Sequence, residues 1–305
     1  MQCRMDAGRW MIVGLLMTVG LAGCATSPKR DGPPAPVQRA VAADAVQQAQ
    51  FTQPPAPTPT PNPNDADPLS RILRDAENAC AQNESYICRL RRREHQPGKQ
   101  KPEEVMLFKF RAHPFSVHFK WLGEEGRGRE VVYVGGQSGN LLHILTAAGD
   151  IPLTPAGRRL DLPADSLLVR AASKYPITEA GLCRTVARFH RLLDDSRRGV
   201  PGLTCKYLGP MSRPELPGTL EMVELTLPPN REPEAPRGGR RLLGFDPLTK
   251  WPVFSTTFDP EGREIDFYCF DRFQLNVNLD NDDFDADKMW PVKASSREPA
   301  ADKSH

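Results

Sequence analysis

Apolar and polar positions alternate with period two through the middle of the chain. Met106, Phe108 and Phe110 alternate with Leu107, Lys109 and Arg111. Phe115, Val117, Phe119 and Trp121 alternate with Ser116, His118 and Lys120, and Val132 and Val134 with Val131 and Tyr133. Successive side chains of a strand point to opposite faces, so these runs predict strands with one apolar face. Residues 86–94 read as another strand, with Arg89, Arg91 and Arg93 on one face. Those arginines are expected to be solvated, the alternative being contact with anionic headgroups or an acidic partner. Further strands are predicted over 203–208, 219–227, 240–245, 252–258 and 264–271, with glycine-rich turns over 123–128 and 135–140 and a polar loop over 228–239.

Two segments change to a three- and four-residue period. Leu69, Ile72, Leu73, Ala76 and Ala79 predict an amphipathic helix, opened by Asp67 as cap and Pro68 at the first turn. Leu182, Val186, Phe189, Leu192 and Leu193 predict a second over 179–194, capped by Thr178. The sum is an α+β fold, a curved antiparallel sheet covered by a few helices, because a sheet of that size has to curl or be capped. Fully burying each large side chain is worth roughly 1.5–3 kcal/mol, so the aromatic face has to be covered. Two helices cover part of it. An apolar cleft is therefore expected, lined by Phe108, Phe110, Phe115, Val117, Phe119 and Trp121; if the helices close over everything, the same residues are ordinary core.

The N-terminus follows neither period. Arg4 and Arg9 precede an apolar run from Trp10 to Leu21. At roughly 12 residues it is too short to cross a bilayer, which takes about 20, and has the length of a signal-peptide core. Leu21-Ala22-Gly23-Cys24 resembles the lipobox of bacterial lipoproteins. The resemblance implies a signal peptide over 1–23, cleavage before Cys24, and acyl chains such as palmitate on that cysteine and its amine. Two or more acyl chains anchor a protein stably. Ala25, rather than an aspartate, follows the cysteine, which favours the periplasmic face of the outer membrane over the inner one. Over 24–67, Pro54, Pro55, Pro57, Pro59, Pro61 and Pro63 favour extended polyproline II in a disordered linker. At roughly 3.1 Å per residue this tether reaches on the order of 100 Å. The folded domain is expected over 68–292 and a disordered tail over 293–305.

Composition narrows the chemistry. A net charge of +2 over 305 residues exerts no bulk pull towards nucleic acid. Of seven cysteines, Cys3 leaves with the signal peptide and Cys24 takes the lipid. Cys80, Cys88, Cys183, Cys205 and Cys269 remain as disulfide candidates in an oxidising compartment. At least one bond is expected; Cys80 and Cys88 flank a short turn, but the sequence leaves the pairing open. Residues 136–140 miss the Gly-x-Ser-x-Gly nucleophile elbow by one position and read as a hairpin turn. Asp283, Asp285 and Asp287 fit the first positions of a calcium loop, but Lys288 stands where glycine is needed and Ala294 where glutamate is. That stretch is expected to be a capped, solvated turn. His113, His118 and His143 lack a placed carboxylate, so no metal is expected. No catalytic residue and no cofactor emerge.

Two stretches carry a wider resemblance. One holds Glu104, Phe108-Lys109-Phe110-Arg111, Pro114-Phe115-Ser116-Val117, Lys120-Trp121 and residues 128–134; the other holds Phe245-Asp246-Pro247-Leu248-Thr249, Pro252, Phe258-Asp259, Gly262, Phe273, Leu275-Asn276 and Asp283-Phe284. The order strand, Asp-Pro-x-Thr, Pro, strand, Asp-x-x-Gly, strand resembles a family of bacterial envelope proteins of unknown function. More distantly it resembles the LolA/LolB lipoprotein carriers and the RseB-type stress regulators. This implies a LolA/LolB-like half-barrel holding acyl chains between sheet and helices, without catalytic residues. The expected function is a membrane-anchored periplasmic lipoprotein binding a lipid or acylated lipoprotein. The alternative is an envelope adaptor or stress-regulatory lipoprotein that meets a protein partner through its surface. The chain departs from the soluble carriers in carrying its own lipidation site and a long loop over 228–239.

Overall fold

A computed structural model describes residues 67–95, 102–137, 139–151 and 155–291. The signal peptide, Cys24, the linker up to residue 66 and the tail from 292 lie outside the described residues. The described chain runs α1 (Pro68–Gln82), β1 (Ser85–Glu94), β2 (Glu104–Arg111), β3 (Ser116–Trp121), β4 (Glu130–Val134), β5 (Leu141–Leu145), β6 (Arg159–Pro163), α2 (Leu167–Ala172), α3 (Leu182–Arg197), β7 (Thr204–Arg213), β8 (Leu216–Leu227), β9 (Gly239–Phe245), β10 (Pro252–Phe258), β11 (Glu264–Leu275) and α4 (Ala286–Met289).

All eleven strands belong to one antiparallel sheet in the order β6-β5-β4-β3-β2-β1-β11-β10-β9-β8-β7. β6 and β7 are its two edges, so the sheet is open. Its first half, β1 to β6, and its second, β7 to β11, are each built from sequence neighbours; pairs such as Leu90 with Phe270 and Glu94 with Asp266 join them at the centre. The period-two pattern sets the register. Tyr86, Cys88 and Leu90 stand opposite Phe110, Phe108 and Met106, which stand opposite Val117, Phe119 and Trp121. One apolar row thus crosses three strands on a single face.

α1 and α3 lie over the second half. In α1, Asp67 Oδ1 accepts the Leu69 N–H, and Ile72, Leu73, Ala76 and Ala79 are buried. In α3, Val186, Phe189, Leu192 and Leu193 join Ile72, Leu73, Leu225, Leu243 and Phe245 in one cluster. The expected start of this second helix is corrected by the structure. α3 begins at Leu182, after Gly181, and Thr178 sits inside a separate 3-10 turn over Ile177–Glu179. Gly181 has φ 110°, and a Cβ there would lie 2.7 Å from the Phe110 ring. The chain passes the sheet too closely for a helix to run through that point. Cys80 and Cys183 form a disulfide with Cα atoms 5.6 Å apart, tying the end of α1 to the start of α3. Cys88, Cys205 and Cys269 are thiols, so Cys80 is not joined to Cys88 across the turn.

Two features expected to be solvated, the arginine face of β1 and the acidic turn near 280–287, are packed instead, and the polar loop over 228–239 holds a buried acid. Arg89 pairs with Asp271, Arg93 with Glu264 and Glu103, and Arg91 donates to the Glu215 carbonyl at 2.5 Å, because acids from neighbouring elements converge on that face. Within the 228–239 loop, Glu232 is 1% exposed and bound by Arg188, Arg191 and Arg241. The 280–287 turn does contain caps: Asp280 accepts the Asp282 N–H and Asp285 accepts those of Asp287 and Lys288. It is nonetheless docked onto the sheet face opposite the aromatic row, where Phe284, Ala286 and Trp290 cover Val132 and Asp283 pairs with Lys109 at 2.7 Å.

Candidate ligand cavity

α1 and α3 cover the second half of the sheet and, through Ala79 and Leu182, the Tyr86–Phe110 end of the aromatic row. The rest of the row faces α2 and the stretch from 173 to 181. Between them lies a cavity of about 610 Å³, well inside the range of small-molecule sites. Its apolar end is formed by Phe119, Val131, Leu142, Ile144, Leu160 and Leu162. Leu225 of β8 lines the same space as Leu160 of β6. At about 4.8 Å per strand a flat sheet would set those strands some 40 Å apart, so the sheet curls around the cavity.

Of the six expected lining residues, Phe108, Phe119 and Trp121 do line the cavity. Phe108 and Phe119 stack with ring centroids 4.5 Å apart. Phe110, Phe115 and Val117 are placed otherwise. Phe110 stacks on Tyr86 at 4.9 Å under Gly181, Phe115 meets Tyr133 edge-on, and Val117 is fully buried. The start of α3 covers that end of the strands, with the Tyr86 hydroxyl accepting the Leu182 N–H at 3.0 Å. Sequence reasoning missed the linings from β5 and β6, whose strands it did not predict.

α2 forms the roof. Ser166 caps it by accepting the Val169 N–H, and Leu168, Val169 and Ala172 line the space. The helix has no buried residue; Leu167 is 83% and Leu168 69% exposed. The roof is held instead through the three residues C-terminal to the helix. Ser173 Oγ and the Lys174 N–H donate to Glu94 at 3.0 and 2.9 Å, and the Tyr175 hydroxyl donates to Asp266 at 3.0 Å.

One wall of the cavity is a chain of paired charges. Asp150 binds Arg129, Arg129 reaches Glu104, Glu104 takes Arg92 at 2.6 Å and the Trp121 Nε1–H at 2.9 Å, and Arg92 reaches Glu94. Farther along, Arg241 donates to Tyr175 and Glu232. Burial works to raise the Glu104 carboxyl, but Arg92, Trp121 and Arg129 outweigh it and hold the group below the ordinary carboxylate range. Burial pushes the phenols of Tyr175 and Tyr268 well above their ordinary value, so both stay neutral donors. Buried charges are tolerated when paired and hydrogen-bonded, and this wall is electrically matched. His118 and His143 both have carboxylate partners, Glu130 at 2.9 Å and Asp161 at 2.6 Å. Among the described residues no group of three His, Cys, Asp or Glu side chains is placed to hold a metal ion.

Among solved structures, the chain is similar to a LolA superfamily protein of Nitrosomonas europaea, at 12% identity over 72% of this chain and 98% of that one, with a TM-score of 0.30. It is similar to lipoprotein LppX of Mycobacterium tuberculosis at 12% identity over 70% and 100% of the two chains, with a TM-score of 0.41. It is also similar to a chain of the Pseudomonas aeruginosa MucA/MucB complex at 14% identity over 72% of this chain, with a TM-score of 0.41, and spans 61% of that chain's length. None of the curated proteins matches. The family described as "Protein of unknown function (DUF1571)" matches residues 83–290, and the chain belongs to that family.

Proposed function

We infer that this protein is a non-catalytic lipoprotein of the bacterial envelope that holds an apolar ligand, the acyl chain of a lipid or of an acylated lipoprotein, between its sheet and α2. The observation that carries the reading is the apolar end of the 610 Å³ cavity, where aliphatic side chains from β5 and β6 face the Phe119 ring. Each methylene moved from water into such a space contributes about 0.8 kcal/mol. The lipobox at Leu21–Cys24 supports anchoring by acyl chains on Cys24, and Ala25 favours the periplasmic face of the outer membrane. The proline-rich stretch up to residue 66 then acts as the tether.

A neutral fluorescent probe, N-phenyl-1-naphthylamine, should bind the purified protein saturably. Ile144→Trp, which fills the apolar end, should abolish that binding without unfolding the chain. Native lipid should be recovered from the wild type by mass spectrometry. Folded protein that binds no probe and yields no lipid would remove this reading. A second reading then takes its place, an adaptor for a protein partner, favoured by Leu167 and Leu168 standing exposed on α2.

A further inference from the structure

Five arginines line the cavity: Arg92, Arg129, Arg184, Arg188 and Arg241. Four are neutralised. Arg92 sits between Glu94 and Glu104, Arg129 on Asp150, Arg188 on Glu232 and Glu234, and Arg241 on Glu232. Arg184 differs. Among the described residues its guanidinium has no carboxylate and no hydrogen-bond acceptor, and it stands 5.9 Å from the centroid of the Phe115 ring. It is exposed, at the rim rather than inside the paired wall. Glu179, an acid on the same rim, makes no ion pair with it among the described residues, and the first turn of α3 carries no acidic residue.

The backbone beneath this cation is fixed from three directions. Gly181 passes against Phe110, the Leu182 N–H is held by the Tyr86 hydroxyl, and the adjacent Cys183 is bonded to Cys80. The position of Arg184 is therefore set by the sheet and α1, while its side chain remains available. An apolar space with one unneutralised cation at its edge matches a molecule with an apolar chain and one negative head. A head left at the rim keeps part of its hydration and avoids the desolvation cost of a buried charge. The planar guanidinium also suits a carboxylate or phosphate, which it binds through two parallel N–H donors.

We propose that the ligand is an anionic amphiphile whose carboxylate or phosphate head pairs with Arg184 while its chain lies against Phe119, Leu142, Ile144 and Leu162. The proposal rests on the apolar-ligand reading above and specifies the class of ligand.

The test is displacement of N-phenyl-1-naphthylamine, itself uncharged, by dodecanoate, dodecyl phosphate, dodecanol and inorganic phosphate. The two anionic amphiphiles should displace it at concentrations about fivefold lower than the alcohol, the upper range for a partly solvated ion pair. Arg184→Gln should erase that preference while leaving dodecanol unchanged, and Arg184→Lys should restore most of it. Inorganic phosphate alone should displace nothing. Equal displacement by acid and alcohol, a preference that survives Arg184→Gln, or displacement by phosphate without a chain would each overturn the proposal and leave the apolar cavity standing. A folded protein that binds no probe and yields no lipid overturns both readings.

Discussion

The last residue of β1, Glu94, accepts the backbone N–H of Lys174 at 2.9 Å across 80 residues of sequence. The same carboxylate takes the hydroxyls of Ser173 and Tyr268 and is 3% exposed. Glu94 thus holds Ser173 and Lys174 of the roof to the centre of the sheet, beside the bond from Tyr175 to Asp266. Hydrogen bonds to a charged group contribute roughly 1.5–3 kcal/mol each. Glu94→Gln should therefore raise hydrogen exchange of amides 167–175 by about tenfold or more and speed probe release, with β2 and β3 unchanged. Unaltered exchange in the roof would show that Glu94 does not hold it.

A second carboxylate ties the C-terminal segment to the opposite face. Burial acts to raise Glu130, but hydrogen bonds from His118, Lys120 and Trp290 outweigh it and bring the carboxyl down to about 2, against an ordinary 4.5. The folded value lies below the unfolded one, so the stabilisation is complete above about pH 4.5 and is lost as pH falls towards 2. The stability advantage of wild type over Glu130→Gln should shrink by roughly 2 kcal/mol between pH 7 and pH 3. Urea unfolding at the two pH values, followed by tryptophan fluorescence, measures it. A gap independent of pH would contradict the pairing.

The bond between Cys80 and Cys183 closes a loop with a sequence separation of 103. Such cross-links contribute about 2–4 kcal/mol, chiefly by restricting the unfolded chain. Cys80→Ser with Cys183→Ser should lower stability by about that amount. Thiol titration of a denatured, unreduced chain starting at residue 59 should count three thiols, those of Cys88, Cys205 and Cys269. Five would disprove the bond.

Anchoring is separately testable. Cys24→Ser should abolish incorporation of radioactive palmitate and leave an uncleaved precursor of higher mass. Labelling that continues in that variant would rule out the lipobox.

The strands at Met106–Phe110 and Phe115–Trp121 were legible because one of their faces is solidly apolar, and the sheet preserves that alternation. β5 and β6 were not. Leu141-Leu142-His143-Ile144-Leu145 is too uniformly apolar to show a period, and Arg159-Leu160-Asp161-Leu162-Pro163 is a five-residue edge strand ending in proline. Without those two strands, Leu142, Ile144, Leu160 and Leu162 stayed hidden, and they form most of the apolar end of the cavity. Phe110, Phe115 and Val117 carry the same pattern as Phe108 and Phe119. What separates them is where α3 begins, which depends on Gly181 meeting the Phe110 ring rather than on any periodicity. The charged wall was equally hidden, since Glu94, Ser173 and Tyr268 meet only after the chain has folded back twice.

The strand order has a kinetic consequence. Arg89 and Asp271, paired at the middle of the sheet, are 182 residues apart, while every other strand is hydrogen-bonded only to its neighbours in the chain. Each half can therefore assemble from local hairpins at low contact order, and the encounter of β1 with β11 is the slow, non-local step. Synthesis from the N-terminus completes β1 to β6 early and leaves their aromatic face waiting for the final strand. During that interval the nascent chain presents an exposed greasy surface, the kind of transient species that aggregates and engages chaperones. Tyr268 and Leu243 arrive with the second half and complete the lining of the cavity that Phe119 also faces. The cavity is thus completed last, since a chain stopped short of residue 264 lacks Tyr268 and Phe270 of its lining.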